Sequence, residues 1–254
     1  MQILLSNDDG IHSEGLLTLA SVLREGGHDI WISAPDKDRS AFSHALSLRN
    51  PVKFNEIQMQ TYSCSGTPAD CIFYGLKGAI PVQPDVVIAG INKGYNVGTD
   101  IIYSGTAGAA REGALHKVPS FAVSAEGYEP PYPFQQAAEF VLEHIEEFIA
   151  LWTPDIFINI NTPKEPGGDW EVSYPEHRDY GDRIEPFSVK KNEIYYFLSG
   201  KNSTTHEFVP KELSDMDALR RGKISVSPIH IHPTVDMKQY ERFMRLHKDR
   251  VIEN

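Results

Sequence analysis

Residues 3–35 read ILLSNDDGIHSEGLLTLASVLREGGHDIWISAP, and this stretch decides the fold. Ile3-Leu4-Leu5 is a short, wholly apolar run broken by Ser6-Asn7-Asp8-Asp9-Gly10, the pattern of a buried strand entering a turn. Leu16, Leu19, Ala20 and Leu23 then recur at i, i+3, i+4 and i+7, and Gly26-Gly27 closes the segment, which predicts a helix. Ile30-Trp31-Ile32 reads as a second strand ended by Pro35. Strand, helix and strand in so short a span, with strands apolar on both faces, indicate a right-handed βαβ unit in a parallel sheet.

The same texture recurs downstream. Val86 to Ala89 predicts a strand, Ala107 to Leu115 a small-residue helix and Phe121 to Val123 another strand. An apolar stripe of Phe134, Ala137, Ala138, Val141, Ile145, Phe148 and Ile149 predicts a long helix, stopped by Thr153-Pro154 before a strand at Ile156 to Ile160. The expectation is an α/β sandwich with at least five parallel strands and helices on both faces. After Pro163 the sequence changes to polar stretches around Glu176 to Arg183, an aromatic strand at Ile194 to Leu198, a further strand at Ile224 to Ile231 and a helical tail from Asp236. We therefore expect a catalytic core over 1–163, completed by part of 210–230, and a hairpin extension with a C-terminal oligomerisation segment over 164–254.

Composition narrows the function classes. The 254 residues carry 35 acidic against 24 basic side chains, a net charge of −11. That balance excludes a sequence-independent grip on nucleic-acid backbone, which needs Lys and Arg to displace counterions. Cys64 and Cys71 match no zinc or redox spacing. No basic leader precedes Ile3 and no apolar stretch approaches the roughly 18 residues of a membrane span, so a soluble cytoplasmic protein is expected.

Open parallel sheets bind ligands beyond the carboxyl ends of their strands. Those positions hold Asp8 and Asp9 after the first strand, Asp36, Asp38, Arg39 and Ser40 after the second, Asn92 after the third, and Asn159 and Asn161 in the last. Asp8 and Asp9 can face one ion only if the chain turns, which Gly10 permits. With Ser40 and Asn92 the donor set is all oxygen, suited to a hard ion such as Mg²⁺, Mn²⁺ or Ca²⁺. The same Asn7-Asp8-Asp9-Gly10 also describes a plain turn with a helix cap. Ser104-Gly105-Thr106 opens a helix and would present hydroxyls and N–H groups to an anion, or serve simply as a cap for a tightly packed helix. His44 lies near Ser40, either reaching the site or bonded elsewhere; His230 with His232 and Arg220 with Arg221 read as structural.

Several stretches together resemble a known family. ILLSNDDG at 3–10, APDKDRS at 34–40, GTPADC at 66–71, GINKGYN at 90–96, YSGTAG at 103–108, NINTP at 159–163 and the segment from Ser214 through KISVSPI at 223–229 are similar, in order, to the SurE survival-protein family of metal-dependent nucleotidases. The resemblance implies a Rossmann-like core with a hairpin extension, assembled as a homodimer or homotetramer through swapped C-terminal elements. It implies a 5′-nucleotidase releasing phosphate from nucleoside 5′-monophosphates, often also from 3′-monophosphates, with some members trimming polyphosphate. One divalent ion per subunit would be held by Asp8, Asp9, Ser40 and Asn92, while Asn96, Ser104, Gly105 and Thr106 would surround the phosphate. Ala41-Phe42-Ser43-His44 departs from the small residues common there, and Ser214 stands where threonine is usual.

The chemistry expected is attack by an activated water, with Asp8 and Asp9 as the catalytic carboxylates and Asp9 orienting or deprotonating that water. An aspartyl-phosphate route needs two aspartates one residue apart, whereas here the pair is adjacent and position 7 is Asn. A glycosyltransferase reading needs a second full Rossmann half, which the hairpin-rich stretch after Pro163 does not supply. A non-catalytic nucleotide sensor using the same crevice is the alternative from a different class.

Overall fold

Ile3, Leu4 and Leu5 lie fully buried in the middle of a nine-stranded sheet in the computed structural model, which describes residues 1–167, 169–177, 183–190, 193–199 and 211–252. Their strand, β1 (Gln2–Ser6), is flanked by β2 (Asp29–Pro35) and β5 (Val86–Lys93), both parallel to it. Successive side chains of a strand point to opposite faces. Accordingly Ile3 and Leu5 join one apolar core with Leu16, Leu19 and Phe148, while Leu4 joins another with Ile72, Ala107 and Ala110.

Those two cores are the two helical layers. On one face lie α1 (Glu14–Glu25) and α5 (Phe134–Leu151), whose predicted stripes are buried against the sheet. On the other lie α2 (Pro68–Tyr74) and α4 (Gly105–Leu115), with the single turn α3 (Asp100–Tyr103) leading into α4. The strand order is β3-β4-β2-β1-β5-β6-β7-β11-β8, where β3 is Phe54–Gln58, β4 Thr61–Cys64, β6 Ser120–Ala125, β7 Ile156–Thr162, β8 Trp170–Val172 and β11 Ile224–His230. Strands β4, β2, β1, β5, β6 and β7 are mutually parallel; β3 and β11 run antiparallel to their inner neighbours. A separate antiparallel hairpin, β9 (Arg183–Lys190) with β10 (Glu193–Ser199), contains the predicted aromatic strand, and α6 (Asp215–Arg220) precedes β11. The tail forms α7 (Met237–Ile252). Gly168 and residues 178–182 of the predicted polar stretch lie outside the described residues. Among the described residues, no helix is long and apolar enough to cross a membrane.

Three local features depart from the periodicity reading. The strand expected over Val86 to Ala89 continues to Lys93, because a bulge after Ala89 lets Asn92 and Lys93 pair again with Ser124 and Ala125. Edge strand β3 and its neighbour β4 give no periodic signal, since most of their residues are exposed or half-buried and show no apolar run. Helix α2 is short, but its Thr67–Asp70 capping box and Pro68 in the first turn mark its start.

The chain leaves β1 toward β2 on one side and later returns to β5 on the other. The crevice between the carboxyl ends of β1 and β5 is therefore the switch point of the sheet, where open α/β folds bind ligands.

A candidate metal and phosphate site at the switch point

Asn7 sets the turn that follows β1. Its Nδ2 donates to the Gly10 carbonyl at 2.9 Å and to Ser13 Oγ at 2.6 Å, and Gly10 takes a φ of 98° that favours glycine. The turn brings both Asp8 and Asp9 to one cleft of about 300 Å³, which Ser40, Asn92, Asn96 and Ser104 also line. Six of the eight residues named from the sequence thus share one cavity. Lys93, Tyr95, Asp100 and Tyr103 complete much of its wall; they sit inside the GINKGYN and YSGTAG blocks or beside them.

Gly105 and Thr106 lie beneath the cleft instead of on its wall. Asp8 is buried, 3% exposed, and its Oδ1 accepts the Thr106 hydroxyl at 2.6 Å while Oδ2 accepts the Thr106 N–H at 3.1 Å. The Gly105 N–H also bonds this carboxylate. The anion held at the start of α4 is therefore the protein's own Asp8, which is where a helix N-terminus stabilises negative charge. Gly105 is required by that approach: a Cβ there would stand 2.9 Å from both Cβ and Oδ2 of Asp8. Ser104 caps α4 by accepting the Ala107 N–H at 3.0 Å, which leaves its hydroxyl hydrogen for another partner.

Burial pushes the Asp8 carboxyl above its ordinary value despite the Thr106 and Gly105 bonds. Asp9, half-buried, is pushed up to about 6, first by burial and then by the charge of Asp8; the Lys93 N–H, 3.2 Å from its Oδ2, offsets this only in part. Two desolvated carboxyls set side by side are a charge arrangement that a cation would relieve. The neighbouring donors fit a hard ion. Ser40 is oriented by Asp38, which accepts its N–H at 2.9 Å and its hydroxyl at 3.2 Å, and Asn92 donates Nδ2 to the Gly94 carbonyl at 2.8 Å, leaving Oδ1 as its ligand atom. Among the described residues no group of three or more His, Cys, Asp or Glu side chains forms a metal site. The set that fits is two carboxylates with neutral oxygens, the chemistry of Mg²⁺, Mn²⁺ or Ca²⁺ and not of zinc.

Asn96 is held by its neighbours in the sheet. Its backbone N–H donates to Asn161 Oδ1 at 2.8 Å, and its carbonyl accepts from Asn159 Nδ2 at 2.8 Å and Asn161 Nδ2 at 3.1 Å. Its own Nδ2 donates to Ser124 Oγ at 2.9 Å. The polar ends of β6 and β7 thereby fix one wall residue. Asp215, fully buried, fixes the same loop further on by accepting the Gly98 N–H at 2.6 Å; nothing in the local sequence around Asp215 signals a partner 117 residues earlier.

The other candidates stand apart. His44 turns away from the cleft and bonds Glu112. Arg221 at the end of α6 pairs with Asp217 and Glu171. His230 and His232 do not line the cleft.

The chain is similar to known proteins over most of its length. The family model described as Survival protein SurE matches residues 3–182. Relatives named 5′-nucleotidase SurE include one from Anaeromyxobacter sp. (strain Fw109-5), 37% identical over 239 residues that cover 93% of this chain and 92% of the relative. Another, from Thermosipho melanesiensis, is 36% identical and covers 99% of this chain and 100% of its own. The crystal structure of the Sure protein from Aquifex aeolicus superposes with a TM-score of 0.84 at 30% identity, covering 97% of this chain and 100% of that one. A match that takes in the whole βαβ core together with the ends of its strands makes this chain a member of the SurE survival-protein family.

Proposed function

We propose that this protein is a divalent-metal-dependent 5′-nucleotidase, hydrolysing nucleoside 5′-monophosphates to nucleoside and phosphate, with 3′-monophosphates and short polyphosphates as further substrates. The observation that carries the reading is the pair of desolvated carboxylates, Asp8 and Asp9, opening onto the same cleft as Ser104 and Asn96. A site built only to bind phosphate has no reason to place two carboxylates beside it unless a cation intervenes. The family's metal dependence and the name 5′-nucleotidase on relatives that span the whole chain support the same conclusion.

Asp8, Asp9, Ser40 and Asn92 would hold one ion per subunit. What a hard divalent ion supplies when bound is charge neutralisation, Lewis-acid polarisation and a more acidic water. The chain's own groups do the rest. Ser104 donates its hydroxyl to the phosphate and Asn96 borders it, while Thr106 and the Gly105 N–H keep Asp8 in place. Asp9, the more open carboxylate, orients the attacking water and takes its proton. As the water oxygen bonds to phosphorus, the ester P–O bond breaks, the departing nucleoside oxygen takes a proton from solvent water, and Asp9 returns the proton it took to solvent. Exposed Tyr195, Phe197, Tyr240 and Phe243 on the hairpin and α7 support assembly into a homodimer or homotetramer, and the two buried free thiols support a reducing, cytoplasmic setting.

The test is phosphate release from AMP with Mn²⁺ or Mg²⁺. Release that stops on EDTA and is absent in Asp8→Asn and Asp9→Asn is the expected result. Tight AMP binding without release would favour a sensor.

A further inference from the structure

The segment that carries Ser40 is strained, and α4 holds it. Ala41 and Ser43 both adopt left-handed backbone conformations, with φ of 61° and 55°, although neither is glycine. Such a conformation persists only where surrounding contacts over-determine it. The contacts come from the α3–α4 unit: the Ser43 N–H donates to the Tyr103 carbonyl at 3.0 Å and its hydroxyl to the Ile102 carbonyl at 2.6 Å. His44 Nε2 bonds Glu112 Oε2 at 2.6 Å. Gly108 permits the close approach, since a Cβ there would lie 2.7 Å from the Ser43 carbonyl oxygen.

Glu112 is the unusual member. It is 3% exposed, two turns into α4, and its second oxygen bonds His116 Nε2 at 3.1 Å. A carboxylate can only accept, so each imidazole presents Nε2–H to it. Removing His44 would leave one oxygen of a buried carboxylate without its donor and release the chain four residues from Ser40. The opposite end of the same helix bonds Asp8 through Thr106.

We infer that His44 and Glu112 are positioning residues for the cation site: α4 sets Ser40 relative to Asp8 by gripping the Ser40–His44 segment at Glu112. This rests on the cation reading above. One rigid helix then fixes two ligands that lie on different strands' loops, and outer partners of this kind typically govern metal affinity by about ten to a hundredfold.

The experiment compares His44→Ala, His44→Gln and His116→Ala with wild type. Mn²⁺ affinity is read by calorimetry, and amide exchange over residues 40–44 is read in the metal-free protein. His44→Ala should weaken Mn²⁺ binding about ten to a hundredfold and speed exchange in that segment. His44→Gln, whose amide can donate to Glu112, should recover most of both. His116→Ala removes a donor from the same carboxylate on the far side from the loop and should leave Mn²⁺ affinity within about twofold, a control that separates positioning from general support of the helix. Equal Mn²⁺ affinity in His44→Ala and wild type, unchanged exchange, or equal losses in His44→Ala and His116→Ala would overturn the inference. Wild-type protein that takes up no Mn²⁺, or an Asp8→Asn variant that binds as wild type does, would instead sink the cation reading on which it stands, while the exchange data report on the grip itself.

Discussion

Thr106 meets Asp8 at both carboxylate oxygens, the hydroxyl at 2.6 Å from Oδ1 and the backbone N–H at 3.1 Å from Oδ2. The first residue of the proposed metal set is thereby pinned to the start of the helix that also delivers Ser104. Thr106→Val keeps the shape and deletes the hydroxyl. It should cost about 2 kcal/mol, the order of a hydrogen bond to a charged group, read by urea unfolding. Phosphate release from AMP should fall at least about tenfold, and Thr106→Ser should restore most of it.

Asp9 gives the metal-free protein a characteristic pH response. Its folded value of about 6 lies above the ordinary 3.8, and Asp8 is raised as well, so the folded state binds protons more tightly than the unfolded state. Stability from these groups therefore falls as pH rises through the window from 3.8 to about 6. Thermal unfolding in EDTA should show Asp9→Asn gaining on wild type across that window. Because protons and cations compete for the same oxygens, Mn²⁺ binding should weaken as pH drops below about 6. A difference between the two proteins that stays constant with pH would contradict the assignment.

Gly105→Ala tests the close packing of α4 on Asp8. The added methyl would sit 2.9 Å from Asp8 and 3.0 Å from Pro68 Cγ, closer than carbon atoms pack. A loss of about 1–3 kcal/mol is expected from such overpacking, together with a fall in kcat, although the residue has no side chain to lose. Full activity with an unchanged melting temperature would show that Asp8 can shift freely.

Asn161→Leu removes two bonds to the backbone of Asn96 and leaves a buried N–H without its acceptor. A stability loss of about 1–3 kcal/mol follows from that group alone. Since the proposed site sets Asn96 beside the phosphate and outside the metal ligands, KM for AMP should rise while the Mn²⁺ affinity stays near wild type. A parallel loss of Mn²⁺ affinity would place Asn96 on the cation side of the cleft.

Much of this was legible before the fold. The apolar stripe of α1 and the two-faced apolar strand β1 are periodic signals, and all of Leu16, Leu19, Ala20 and Leu23 are fully buried as the stripe requires. Polar residues clustered at strand ends pointed to the crevice, and four of them, Asp8, Asp9, Ser40 and Asn92, share it. Harder to read were edge strand β3 and its neighbour β4, whose half-wet residues carry weak periodicity, and β5, whose bulge hides its last residues. The role of Thr106 was harder still. A Ser-Gly-Thr at a helix start signals an anion, but cannot say that the anion is a carboxylate of the same chain.

Hydrophobic spacing, turn residues and the order of strand and helix are local properties, so the parallel α/β layers, the placing of the site at the carboxyl ends of the strands and the oxygen-only chemistry there follow from the sequence alone, whereas the switch point between β1 and β5 needs the strand order. Pairings between distant residues depend on how the layers stack. Asp8 with Thr106 is a separation of 98 residues, and His44 with Glu112 one of 68. Such pairings arise on folding, because burial next to the start and middle of α4 selects which carboxylate is desolvated, which donor satisfies it and which loop the helix holds.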